Sequence, residues 1–142
     1  MATLKISDLS VGDWVQNMNG NYVKVAGIWQ GCNSNYQVDL HHDGVIGTIA
    51  SCNIHPIPIT AEILEANGFE RPDKKVYMDT WSWTNKEDTM IEVSMYKDKA
   101  YIRVARFEDG ILRDRDCNFG LNYIHQLQHA LRLAGVDKEI YL

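Results

Sequence analysis

The chain has 142 residues, 45% of them hydrophobic and 23% charged, the balance of a globular protein of one domain or two small subdomains rather than a disordered one. Its formal net charge of −5 argues against non-specific binding to DNA or RNA, because phosphate contacts need clustered Lys and Arg. No run of about 18 apolar residues is present, so no membrane span is expected, and the opening Met1–Asp8 lacks the apolar centre of a secretory signal.

Residues 1–58 predict short strands divided by turn signals. Leu4–Ile6 opens, and Gly12-Asp13 turns into Trp14-Val15. Asn19-Gly20-Asn21 marks a hairpin, since Asn and Gly accept positive φ at little cost. Tyr22–Trp29 has strand composition, and Tyr36, Val38 and Leu40 alternate with Gln37 and Asp39. His42-Asp43-Gly44 turns into Val45–Ala50, and Ile54–Ile57 follows. Five or six short strands at this spacing point to a small SH3-like β-barrel with Trp14 and Trp29 in its core.

Pro56 and Pro58 close that region, because each lacks a backbone donor and disfavours helix before it. Thr60 reads as an N-cap, with Ile59 and Leu64 placed for a hydrophobic staple and Glu62 in the first turn. Gly68 fits the C′ position. Residues 59–75 are therefore a short linker helix, Ala61 to Asn67, and a polar connector, Arg71–Lys75.

Residues 76–142 predict an antiparallel four-stranded meander and a helix, which makes the chain α+β. The strands are Val76–Trp83, Thr89–Lys97, Ala100–Glu108 and Ile111–Cys117, joined in part by Asp98-Lys99 and Asp109-Gly110. Two-residue turns would set Met95 opposite Ile102, Val93 opposite Val104 and Tyr96 opposite Tyr101, with Ile91, Val93, Met95, Ile102 and Val104 on the core face. A second helix runs from an Asn122 cap to Gly135, with Ile124, Leu127, Leu131 and Ala134 as its apolar stripe. Val136–Leu142 reads as a final edge strand, able to pair within the chain or with a second copy in a homo-oligomer.

Three motifs carry a family resemblance. They are Leu9-Ser10-Val11-Gly12-Asp13-Trp14-Val15, then Pro56-Ile57-Pro58-Ile59-Thr60 followed by Leu64 and Gly68-Phe69, then Tyr123-Ile124-His125-Gln126-Leu127-Gln128. At these places the chain resembles uncharacterised proteins encoded by phages, prophages and mobile elements of gut Bacteroidales. The resemblance implies a two-part architecture and a bacterial cytoplasmic setting, and it carries no known activity or cofactor.

Several groups have chemistry to offer. Arg106 and Arg113 fall opposite each other in the expected register, with Arg115 one step along the same face. Opposed like charges call for an anion or carboxylate between them, so the set reads either as an ion-pair lattice or as an anion site. Arg103 falls on the other face, near Asp114 and Asp116. Tyr77, Trp81, Trp83, Tyr96 and Tyr101 form an expected aromatic series on the face opposite the core, for packing or for contact with a partner. His125 and His129 are four apart on the second helix, a metal-ligand spacing, with Asp114, Asp116 or Cys117 as possible third ligands. The intervening Gln126, Leu127 and Gln128 supply no acid for a metalloprotease, and the structural reading is two polar-face histidines. His41 and His42 flank a turn, and His55 precedes a proline without further signal.

Cys32, Cys52 and Cys117 lack a Cys-x-x-Cys spacing and read as free buried thiols in a reducing compartment. Gly-x-Ser-x-Gly, a P-loop and Gly-x-Gly-x-x-Gly are all absent from the sequence. The expectation is a non-catalytic protein that binds a protein partner or a ligand and needs no cofactor. The alternatives are capture of a small anion such as a nucleotide, a nucleic-acid-binding barrel, and a metal-dependent hydrolase.

Overall fold

A computed structural model describes residues 4–31, 35–71, 79–85, 89–97, 99–109, 111–115 and 120–142, with residues 112–115 described by their backbone alone. The fold is α+β, with two antiparallel sheets in two compact units. The first unit comprises the chain up to Pro58 with Tyr123–His125 and Leu142; the second comprises Ile59–Asn122 and Gln126–Tyr141. No helix among the described residues is long and apolar enough to cross a membrane.

The first unit holds β1 (Trp14–Gln16), β2 (Tyr22–Gln30), β3 (Tyr36–His42) and β4 (Val45–Ala50), a meander in that order. Val15, Val23, Val25, Val38 and Leu40 share its buried face with Leu9 and Ile54. Asp43 and Gly44 both take positive φ between the paired His42 and Val45, the type I′ geometry that matches strand twist. After β4 a 3-10 turn, Ser51–Asn53, leads back to β1, where Gln16 and His55 exchange two backbone hydrogen bonds of 2.8 Å. Among the described residues β1 and β4 do not pair, so the sheet is open where a closed barrel was expected.

Trp29 corrects a second expectation. The β2–β3 register slips between Val25 and Gly27, so Ala26 is an extra residue on β2. One inserted residue exchanges the two faces of everything beyond it. Ile28 therefore packs against the core, and Trp29 is 48% exposed, its indole N–H donating to Asp39 Oδ1 at 3.2 Å. Trp14 is half-buried, with the Lys24 ammonium 5.1 Å above its ring.

The second unit starts with α1 (Ala61–Ala66). Thr60 caps it by accepting from the Ile63 N–H at 3.3 Å. The Glu62 carboxyl is held below the usual carboxylate range by its own backbone N–H and then by the Thr60 hydroxyl. Gly68, at φ 81°, ends the helix: its N–H reaches Glu65 O and the Phe69 N–H reaches Leu64 O, both at 3.0 Å. That pair of hydrogen bonds is the Schellman closure, and its apolar pair, Leu64 and Phe69, is buried.

The sheet runs β5 (Asp79–Thr84), β6 (Thr89–Tyr96), β7 (Lys99–Glu108) and β8 (Ile111–Arg115), with β9 (Gly120–Leu121) beside the start of β7. The β6–β7 turn comes one residue early. Lys97 takes φ 54° and Tyr96 pairs with Lys99, so Val93 faces Ile102 and Met95 faces Ala100. This moves every expected pair by two residues, and an even shift leaves the faces unchanged. Ile91, Val93, Ile102 and Val104 are accordingly buried, and Met95 is half-buried. The β7–β8 pairing has the expected register, with Arg106 opposite Arg113.

The last helix, α2 (Ile124–Leu133), buries the expected stripe of Ile124, Leu127, Leu131 and Ala134, widened by His125, Gln128 and Ala130. Gly135, at φ 68°, gives it the same closure as α1, with Gly135 N–H to Arg132 O and Val136 N–H to Leu131 O. The expected strand over Val136–Leu142 does not form. A side-chain amide substitutes for a strand neighbour there: Asn67 Nδ2 donates to Tyr141 O at 2.9 Å, and Tyr141 N–H donates to Asn67 Oδ1 at 2.7 Å.

Candidate functional site

A cleft of about 580 Å³ opens at one end of the second sheet. The ends of β5 and β6 supply Trp83, Asn85 and Thr89, β7 supplies Arg106 and Glu108, and the exit of α2 supplies Gly135 and Asp137. The Asn85 side-chain Oδ1 accepts from the Thr89 N–H at 2.8 Å, and the Asn85 backbone N–H donates to Thr89 O at 3.0 Å, which fixes the polar wall.

Among the described residues Arg106 is the cation of this cleft, and its position follows from the fold. Its Nη2 donates to Ala134 O at 2.8 Å and Gly135 O at 3.0 Å. These carbonyls belong to the C-terminal end of α2, where the helix dipole favours a positive charge. A Cβ on Gly135 would stand 3.3 Å from that Nη2, so glycine there serves both the backbone conformation and the approach of the guanidinium. Arg106 Nε is buried and makes no hydrogen bond to the described residues. Glu108 and Asp137 bring negative charge to the same rim.

Backbone pairing places Arg113 opposite Arg106 and Arg115 opposite Val104; the side chains of both lie outside the described residues. Arg103 bonds Glu92 across the strands at 3.0 Å, on the other face. The aromatic series divides. Trp81 pairs with Val93 and Trp83 with Ile91, which sets both on the core face. Trp81 is 4% exposed, with its indole N–H on Glu65 Oε1 at 3.2 Å. Tyr96 and Tyr101 stand exposed on the opposite face, and Tyr77 lies outside the described residues. The expectation of one series fails because directly opposed residues share a face, and β5 pairs odd positions with the odd, buried positions of β6.

His125 is buried and stacks on Tyr123, with ring centres 5.9 Å apart and planes 8° from parallel. His129 is half-buried. Among the described residues no three His, Cys, Asp or Glu side chains group to hold a metal ion. Asp116, Cys117 and the Asp114 side chain lie outside the described residues. His42 Nδ1 is 3.3 Å from Asp43 at the exposed β3–β4 turn. Cys52 is a free thiol and exposed, in the 3-10 turn after β4, which corrects the expectation of burial; Cys32 and Cys117 lie outside the described residues.

The residues of the three motifs do structural work. Leu9 is core, and Gly12 takes φ 91° while its N–H donates to Val25 O at 2.7 Å. The buried Asp13 carboxyl accepts from the Ser10 N–H at 2.7 Å. In the second motif, Ile57, Ile59, Leu64 and Phe69 are buried around the Thr60 cap and the Gly68 closure. In the third, Ile124 N–H donates to Ile57 O at 2.8 Å, and Gln126 Oε1 accepts from the Asn122 N–H at 2.8 Å.

Two residues escaped the sequence reading: Asn67, inside the expected helix, and Lys138, inside the expected strand. Lys138 Nζ donates to Asn67 O at 2.7 Å and lies 5.2 Å from the Trp83 ring centre and 5.9 Å from that of Phe69. Gly135 was the available signal, since it ends the helix and leaves a tail that must be held. The chain matches no protein-family model, no curated protein and no solved structure.

Proposed function

We propose that this chain is a non-catalytic accessory protein of phage or mobile-element type that works by binding in the bacterial cytoplasm. Its ligand side is the Arg106 cleft. The observation that carries this is a guanidinium fixed by two carbonyls at the end of a helix, beside an indole and a polar wall, in a cleft of ligand size. A cation held in place before binding costs little to order when an anion arrives. Glu108 and Asp137 on the rim oppose a heavily charged ligand. The reading is therefore a small anion of low charge with hydrogen-bond donors, such as a nucleoside monophosphate, rather than a triphosphate.

The phage setting rests on the three motifs. An SH3-like reading of the first unit is supported by its four-strand meander, its 3-10 turn and the return of His55 to β1.

Thermal shift with nucleoside mono- and triphosphates tests the ligand. A monophosphate should raise Tm, and Arg106→Lys should abolish the rise while leaving the unliganded protein folded. A rise that survives Arg106→Lys, or none in the wild type, rejects the cleft as the site. Turnover in a broad hydrolase screen, lost on mutating His125 or Asp116, would reject the non-catalytic reading.

A further inference from the structure

We propose that β4 is a self-association edge. Two copies of the chain pair antiparallel along Val45–Ile49 with Gly47 on the two-fold axis, joining two four-stranded sheets into one.

The strand edges of this chain are unequally finished. The outer side of β1 is taken by His55, and that of β5 by Glu70, which exchanges two hydrogen bonds with Ser82 at 2.7 and 2.8 Å. No described strand pairs with the outer side of β4 or of β8, and of these two β8 carries the charged residues Arg113, Asp114 and Arg115. The β4 sequence, Val-Ile-Gly-Thr-Ile-Ala, has no lysine, proline or other blocking residue, and its β3 pairing runs without a bulge. Unpaired edges of this kind recruit another strand, and natural proteins otherwise blunt them. Val45 is 68% and Ile46 61% exposed, and Val45 lines a groove of about 420 Å³ in which Met18, Leu40 and Ile49 meet the polar Asn17, His42 and Asp43.

The hairpin geometry fixes which groups face outward. In a two-residue type I′ hairpin the flanking residues, His42 and Val45, are a hydrogen-bonded pair. The alternation then turns the N–H and C=O groups of Ile46 and Thr48 away from β3. Pairing about Gly47 sets Ile46 against Thr48 of the second copy, and Thr48 against Ile46 of the second copy, so each outward group meets its complement. Val45 comes beside Ile49 of the second copy on the groove face. Gly47 then occupies a non-hydrogen-bonded position, where opposed Cα atoms approach most closely, about 4.5 Å. Nothing among the described residues requires a glycine there: its φ lies outside the left-handed region, and an added Cβ would meet none of them within 4 Å. A strand glycine without an internal cause is one of the features found where another backbone approaches closely.

Charge selects a second copy as the occupant despite the net −5. Val45–Ala50 carries no ionisable side chain; the nearest acids are Asp39, whose Oδ1 accepts from Thr48 Oγ1 at 2.6 Å, and Asp43 in the hairpin turn. The Gly47 register holds the two Asp43 side chains about 26 Å apart, at ~3.3 Å per residue, and the two Asp39 residues three strand spacings apart, about 14 Å, both beyond the screening length. A five-residue strand contact lies at the small end of interface sizes, below roughly 1,200 Å², so the dimer is weak and reversible.

Sedimentation equilibrium of the full chain from micromolar to near-millimolar concentration tests this. The wild type should show a reversible monomer–dimer equilibrium. Ile46→Pro removes an outward N–H that only the second copy uses, and Ile46→Lys places a charge on the edge. Both should stay monomeric with Tm within a few degrees of wild type, and the lysine variant keeps the test open if the proline variant does not fold. A wild-type monomer at every concentration, a dimer indifferent to both substitutions, or open-ended oligomers in place of a closed dimer would each overturn the proposal.

Discussion

The sheet of β1–β4 and the sheet of β5–β9 grow by the same device, antiparallel hairpins turned on left-handed residues such as Asp43 and Gly44 in one and Lys97 and Asp109 in the other. They differ in how their irregular chain is held. In the first, the lead-in to β1 is fixed by one buried carboxyl, Asp13, within its own turn. In the second, the C-terminal tail is fixed across 74 positions of sequence by one buried amide, Asn67. A local anchor holds chain that is already close by. A distant one must also offset the entropy of bringing the tail back. The second unit should therefore be the more sensitive to loss of its anchor.

Asn67→Ala is the largest effect expected. It removes the bonds to Ile63 O, Tyr141 O and Tyr141 N–H. At ~1 kcal/mol each this is about 3 kcal/mol, read by urea unfolding. Hydrogen exchange should show the Tyr141 amide unprotected before the sheets open. Asp13→Ala should cost about 2 kcal/mol, since it removes the carboxylate acceptor of the Ser10 N–H, and should leave the Tyr141 amide protected. Equal costs and a shared exchange pattern would erase the contrast between the anchors.

Thr60→Ala comes next. The helix it caps has six residues, too few to persist without its ends. Loss of the cap should cost about 1 kcal/mol, and Thr60→Ser should recover most of it. A larger loss for Thr60→Ala than for Asn67→Ala would place the weak point of the second unit in its helix rather than its tail.

What the sequence showed of this fold was whatever is encoded locally. Thr60 and Gly68 announce a helix through groups that act within one turn, and Asp109 announces a hairpin because its φ is set at that residue. The face of Val93 and Ile102 survived a misplaced turn because the shift was even. Trp29 did not survive, because Ala26 has nothing in its own chemistry that declares a bulge. The candidate site was half legible. Arg106 stood out by its charge and pairing, but its hold on Ala134 and Gly135 joins residues 28 and 29 positions apart, beyond any periodicity. Asn67 was hidden for the same reason: inside the expected helix it carries no signal of its own, and its partner Tyr141 lies at the far end of the chain.

The smallest effect sharpens the comparison through pH. Lys138, on the tail that Asn67 holds, titrates below the ordinary lysine range because burial penalises its charge. The unfolded chain then holds this proton more tightly than the folded one, so stability should rise with pH between the lowered value and the ordinary one. Tyr141 acts in the opposite sense. Its bond to Glu139, at 2.5 Å, raises its titration, so that contribution is present below the ordinary tyrosine range and lost as pH climbs through the folded value. The two signs separate in a Tyr141→Phe background. There the stability of the protein relative to its Lys138→Met derivative should increase steadily on the alkaline side. If the tail were released before the second unit unfolds, Lys138 would already be hydrated and the two curves would run parallel. A parallel result would make the tail an accessory to the second unit, and a diverging one makes it part of the same cooperative core.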